Sequence, residues 1–270
     1  MRRRSDTTQR ALNHVAYGST VRQEVQLSSV GRSRAPAGSV AGIREYFGER
    51  SSGWNSETKL AGPQAFLVEG LPAGYHNDAH FHDVDQYQVF FGEDAAWYQR
   101  EVLAPVTVHY SDAYKTYGPF GSGRGSLSFF TLRPAESSIT AYMPGSREQL
   151  VRVGRRSLHA EVAVERVREG EAVRRKPVLN SDDGMAVTSH GAPDGARLIV
   201  GSDSASQGTY GLVLAGAFRT ADGTTLRERS LIWTNPGEGV EATADGPASL
   251  LTMQFPRQTY TNFEDRRSEP

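Results

Sequence analysis

Gln86-Tyr87-Gln88-Val89-Phe90-Phe91-Gly92 returns in the second half of the chain as Thr209-Tyr210-Gly211-Leu212-Val213-Leu214-Ala215-Gly216. Downstream, Ser126-Leu127-Ser128-Phe129-Phe130-Thr131-Leu132-Arg133-Pro134 has its counterpart in Ser249-Leu250-Leu251-Thr252-Met253-Gln254-Phe255-Pro256. From Tyr87 to Pro134 is 47 residues and from Tyr210 to Pro256 is 46. Two copies of one β-unit account for a match kept over that length. Upstream, the apolar run ending at Val68 matches the one ending at Val200, which leaves the first half about nine residues longer before its tyrosine. That surplus falls where the histidines cluster. The boundary between the copies is expected near 145–158, in a Pro-Gly and Arg-rich stretch.

Other short β-rich runs lie at 65–68, 106–110, 162–167, 198–200 and 231–234, separated by turn dipeptides such as Asp183-Gly184 and Asp222-Gly223. Twenty-eight glycines and 13 prolines, spread along the chain, keep interrupting any helical period. The sequence therefore predicts an all-β protein of sandwich or barrel type, with one short helix at 42–48 or 146–151. Residues 1–40 read as an irregular N-terminal arm, followed by a first unit over 41–150 and a second over 151–270.

The 270 residues carry 30 basic and 31 acidic side chains, a net charge of −1, which argues against a strongly electrostatic nucleic-acid or membrane-surface binder. With no cysteine, disulfides, thiolate catalysis and Cys-ligated metals are excluded. Uncharged runs such as 210–218 are too short to span a bilayer as a helix. Met1-Arg2-Arg3-Arg4 is basic but no apolar segment follows, so a cytoplasmic protein is expected. The arginines at 155–156 and 174–175 alternate with glutamates and read as solvated strand edges. Gly121-Ser122-Gly123-Arg124-Gly125 precedes a strand, where a nucleotide loop would open a helix, and reads as a hairpin connection.

Four of the seven histidines, His76, His80, His82 and His109, fall within 34 residues. On a strand, His80 and His82 face one way, and Gln86 and Gln88 share that parity if the strand is continuous. Phe81, Asp83, Asp85 and Tyr87 then face the other way, the two aspartates as outward, solvated charges. Two imidazoles at strand spacing can chelate one divalent metal, given a further ligand from a facing strand. In Val106-Thr107-Val108-His109-Tyr110, alternation offers His109 for that role.

The stretch Gly74-Tyr75-His76-Asn77-Asp78-Ala79-His80-Phe81-His82 resembles the first motif of the cupin superfamily: glycine, five residues, His-x-His, then a glutamate and a glycine. Gln86 stands where the glutamate is expected, and Gly92 follows after five residues instead of six. The second motif is poorly matched: Pro105 and His109 represent it, or the loop 112–119 does, with Tyr117 or Thr116 in place of histidine. The resemblance implies two tandem double-stranded β-helix (jelly-roll) barrels, a bicupin, with metal ligands in the first only. By offset, Asp203 and Ala205 stand where His80 and His82 would be in the second barrel.

The resemblance further implies metal ligation by His80, His82 and Gln86, with the shell completed by His109, His76 or Tyr117. His76 and Tyr117 are the acid–base candidates. The expected cofactor is a divalent transition metal, iron first and Mn, Ni or Zn as alternatives. A neutral Gln86 cancels none of the metal charge, so an anionic or aromatic small-molecule substrate is expected, with Phe90, Tyr110 or Tyr117 lining its pocket. The expected activity is that of a non-heme dioxygenase; the alternatives are a cupin-type lyase or isomerase, or a non-catalytic small-molecule-binding bicupin. No nucleic-acid or membrane partner is expected, and two barrels per chain are compatible with a homodimer.

Overall fold

The computed structural model describes residues 14–16, 23–48, 62–92, 94–150, 155–165 and 167–257. Among them regular structure is all β apart from one 3-10 turn at Arg147–Gln149. The helix expected at 42–48 is instead part of strand Val40–Phe47, whose partners hold it in the sheet on both sides.

Each half builds one large antiparallel sheet. The first has seven strands, in the order Ser157–Glu161, Val106–Ser111, Gln86–Gly92, Leu127–Arg133, Gln64–Leu71, Val40–Phe47 and Gln23–Gln26. The second has six, in the order His14–Ala16, Leu231–Thr234, Thr209–Ala215, Ala248–Gln254, Ala186–Ala192 and Arg174–Asn180. The register fixes the equivalence of the halves. Tyr87 lies opposite Leu132 and Tyr110, and Tyr210 lies opposite Met253 and Trp233.

The same register corrects the upstream match. Strand Gln64–Leu71 corresponds to Ala186–Ala192, because each is the next neighbour outward, and Val200 belongs to a different, four-stranded sheet. Ala65 stands 22 residues before Tyr87, and its equivalent Val187 stands 23 before Tyr210. No nine-residue insertion separates the halves.

The outer edges are exchanged. Ser157–Glu161, which follows the first half, pairs with Val106–Ser111 in the first sheet. His14–Ala16, at the start of the chain, pairs with Leu231–Thr234 in the second. Residues 162–165, expected as a strand, are irregular, and the pairing segment lies just before them. The N-terminal arm is likewise not irregular throughout: 14–16, 23–26 and 33–34 are strands, and the rest of 1–22 lies outside the described residues.

Period-two alternation sends the two faces of each large sheet to different cores. Tyr87, Val89, Val108, Phe130 and Leu132 pack against Tyr210, Leu212, Trp233, Leu251 and Met253, so the two sheets join back to back. Phe90, Leu127 and Phe129 face inward onto Tyr98, Tyr117 and Phe120. In the second unit Val213, Ile232 and Leu250 face inward onto Val200, Phe218 and Leu226. Both faces being buried, these strands read as continuous apolar runs. Tyr110 falls in the core between the units and does not line the first interior.

Polar groups also bridge the units. Asp85, expected in solvent, is half-buried; it accepts bonds from the Ala113 amide (2.8 Å) and from Gln207 Nε2 (2.6 Å), and loss of solvent pushes its carboxyl up. Asp83 is buried, accepting from Ser137 and Ser138. Arg156, expected at a solvated edge, joins Asp112 (2.9 Å) to Asp183 (2.6 Å) and holds the Asp183 carboxyl below its usual range despite partial burial. No helix among the described residues is long and apolar enough to cross a membrane.

Candidate functional site

The polar side chains inside the first unit converge from five segments. His80 lies on the short strand His80–Phe81, bridged to Tyr117 by reciprocal main-chain bonds of 3.1 and 2.9 Å. His82 follows directly. Gln86 and Gln88 lie on Gln86–Gly92, Arg133 ends Leu127–Arg133, and Gln64 faces it across the ladder. The strand is not continuous from His80 to Gln86, yet the expected parity survives the break and brings the three side chains together.

Each of the two imidazoles has one nitrogen on a main-chain carbonyl. His80 Nδ1 donates to Asp78 O at 2.7 Å, and His82 Nδ1 donates to Ile139 O at 2.5 Å. A carbonyl only accepts, so Nδ1 carries the proton on both rings and Nε2 keeps its lone pair. Burial is the main reason both stay neutral: His80 is pushed down to about 4 and His82 well below its ordinary value, with the nearby Arg133 charge acting the same way. The rings stand 5.4 Å apart, centroid to centroid, and near perpendicular, with the Tyr117 ring 4.4 Å from His80 and 6.1 Å from His82.

Gln86 is fully enclosed. Its Nε2 donates to the Tyr117 hydroxyl at 2.8 Å, and its Oε1 accepts from Arg133 Nε at 2.8 Å. Burial raises the Tyr117 phenol, which therefore stays protonated at neutral pH. Arg133 also donates from Nη2 to His82 Nε2 (3.1 Å) and from Nη1 to Gln64 Oε1 (2.7 Å), with its guanidinium 5.7 Å from the Phe66 ring centre.

His109 lies on the other side of the Tyr117 ring, 5.1 Å away. Its Nδ1 bonds Gln88 Oε1 (3.1 Å) and its Nε2 meets Tyr98 Oη and Ser157 Oγ, both at 3.0 Å. Both ring nitrogens are thus engaged, and burial pushes the imidazole down to about 3. His76 sits in the smaller sheet, bonded to Asp78 (2.7 Å) and packed on Trp97. It is linked to the cluster through Asp78, whose carbonyl orients His80.

The structure brings together His80, His82, Gln86 and Tyr117, all named from the sequence, and adds Arg133 and Gln64, which were not. Arg133 had a signal: it continues the inward row Leu127, Phe129, Thr131 as the one charged residue of that strand. In the second unit the register puts Thr209, Gln254 and Ala186 at the positions of Gln86, Arg133 and Gln64. That interior has Ile232, in its apolar cluster, where the first has His109.

No family model and no curated protein matches the chain. Solved structures do. A candidate dioxygenase from Nostoc punctiforme is similar with a TM-score of 0.55 at 10% identity, over 82% of this chain and 75% of that one. A variant of oxalate decarboxylase from Bacillus subtilis is similar with a TM-score of 0.50 at 10% identity, over 90% and 79%. The chain has the bicupin fold.

With this fold, the first barrel gathers His80, His82 and His109 around Tyr117, whereas the second holds His190, bonded to Thr252 at 3.0 Å. Neutral nitrogens of fixed tautomer, with the Gln86 and Tyr117 oxygens beside them, suit a divalent transition metal in kind. Ionised ligands are missing: no group of three or more His, Cys, Asp or Glu among the described residues is arranged to hold a metal.

Proposed function

We propose that the first barrel is the site of a metal-dependent cupin enzyme acting on a small organic molecule, with His80 Nε2, His82 Nε2 and Gln86 Oε1 as the metal ligands. One observation carries the reading: both Nδ1–H groups are tied to main-chain carbonyls, which leaves a neutral Nε2 lone pair on each of two rings whose centroids are 5.4 Å apart. A divalent metal held there, with no carboxylate to offset its charge, supplies a strong Lewis acid and, with iron, one-electron chemistry toward dioxygen.

The chain's own groups define the rest. Tyr117 holds its proton at Oη and is the acid closest to the ligands, its position set by Gln86. His109 acts by positioning: it ties Gln88, Tyr98 and Ser157 together behind the Tyr117 ring. Phe90, Phe120 and Phe129 wall the interior against water and suit an aromatic or apolar substrate body, while the metal charge favours an anionic head. Among the chemistries open to this site we favour dioxygenation, the activity named for the Nostoc protein of similar fold. The metal-bearing barrel is built mainly from 41–150 with edge strands Gln23–Gln26 and Ser157–Glu161, and the metal-free one mainly from the strands between Arg174 and Gln254 with edge strand His14–Ala16, two chains pairing as a homodimer.

A second reading, a non-catalytic binding bicupin, is favoured by Arg133, which already engages two of the three ligand atoms. Oxygen uptake by iron-reconstituted protein, over a panel of aromatic and carboxylate-bearing compounds, separates the two. Turnover that disappears in His80→Ala/His82→Ala supports the enzyme; saturable binding without uptake contradicts it.

A further inference from the structure

The acceptors turned into the first barrel already hold a cation, and the chain supplies it. Arg133 is buried, with its guanidinium on His82 Nε2 (3.1 Å), Gln86 Oε1 (2.8 Å) and Gln64 Oε1 (2.7 Å). Two of these three atoms are ligands in the reading above. An imidazole Nε2 has one lone pair, so it cannot accept from Nη2 and coordinate a metal at once. A guanidinium keeps its charge at every accessible pH, so only movement can take that charge away from an arriving metal. The second barrel supplies the internal comparison. At the position of Arg133 it has Gln254, whose amide bonds Gly184 O and the Asp203 amide instead of reaching into a cluster. The arginine accompanies the histidines and is not a requirement of the fold.

We propose that Arg133 is a built-in competitor for the metal seat: its guanidinium occupies the place of the ion, and metal enters only as Arg133 leaves His82 and Gln86. The inference rests on the metal reading of this site. It makes the native affinity for metal a balance between two cations, set by how firmly Gln64 and Phe66 retain the side chain. His80 Nε2 makes none of the hydrogen bonds found among the described residues, so His80 is the ligand an incoming ion meets unopposed.

The test is titration of Zn(II) alone, against a chromophoric chelator at neutral pH, into wild type, Arg133→Met and His80→Ala/His82→Ala. Arg133→Met should bind one zinc per chain at least tenfold more tightly than wild type, with no such site in the double-alanine protein. Equal, histidine-dependent affinity in wild type and Arg133→Met overturns the inference and leaves the metal reading intact. Binding in Arg133→Met alone upholds the inference and overturns the metal reading for the native chain. Binding in neither overturns both. Should Arg133→Met fail to fold, the Arg133 Nε–H resonance of wild type gives the answer. It should shift in step with the His82 imidazole as zinc is added, and an unmoved Arg133 signal while His82 titrates contradicts the inference.

Discussion

Tyr87 and Tyr210 are equivalent residues of the two units, and each hydroxyl reaches the other unit's member of one equivalent strand pair, Ala248–Gln254 and Leu127–Arg133. Tyr87 donates to the carbonyl of Gln254 at 2.7 Å, and Tyr210 donates to the carbonyls of Arg133 (3.0 Å) and Gln64 (3.1 Å). Gln254 and Arg133 are themselves equivalent, each one residue beyond the partner of its own tyrosine. The repeat that reveals the fold therefore also makes the joint between the units, and on one side that joint holds the backbone of Arg133.

Removing one hydroxyl tests this joint. Tyr210→Phe leaves two buried carbonyls short of a donor and should cost about 1–3 kcal/mol, with Tyr87→Phe costing about 1. Urea unfolding of both variants measures the difference. Tyr210→Phe should also change zinc affinity, through Arg133, whereas Tyr87→Phe should not.

Stability should fall in mild acid. His109 has a folded value of about 3 against 6.5 unfolded, because burial excludes its charged form. Its contribution is full above pH 6.5 and is lost as pH falls from 6.5 toward 3, since only the unfolded chain takes up the proton in that window. The expected slope is about 1.4 kcal/mol per pH unit for this one group. Urea unfolding at pH 7, 6 and 5 should show a steeper loss for wild type than for His109→Gln; parallel lines would contradict the assignment.

Gly123 is required by close approach. A Cβ there would lie 2.2 Å from the carbonyl oxygen of Ala95, a main-chain atom with no rotamer to change. Gly123→Ala should destabilise by about 2 kcal/mol or more. Gly74→Ala is the contrast. It meets only the Pro36 side chain at 3.7 Å, but strains a backbone at φ +79. Its cost of about 1 kcal/mol comes from conformation and not from a clash. Thermal melts of the two variants order these effects.

What the sequence made legible follows from distance along the chain. His80, His82 and Gln86 lie within seven residues, and the alternation expected of a strand survives the break at 82–85 to bring them together. The tyrosines and their downstream strands were legible because both copies keep the same apolar run. Strand Ala186–Ala192 was not recognised as the equivalent of Gln64–Leu71, because Thr188, Ser189 and His190 break up its apolar character. Arg133 reaches His82 over 51 residues, and Asp85 reaches Gln207 over 122. Such partners are fixed by how the sheets stack, which no local pattern records. The edge exchange by His14–Ala16 and Ser157–Glu161 was hidden for the same reason.

The most direct test of the account is elemental analysis of the tag-free protein beside His80→Ala/His82→Ala, both after reconstitution with Fe, Mn, Ni and Zn in turn. The account predicts about one transition metal per chain in wild type, absent from the double variant while its circular dichroism is unchanged. Equal, near-zero metal in both proteins with every ion would contradict it.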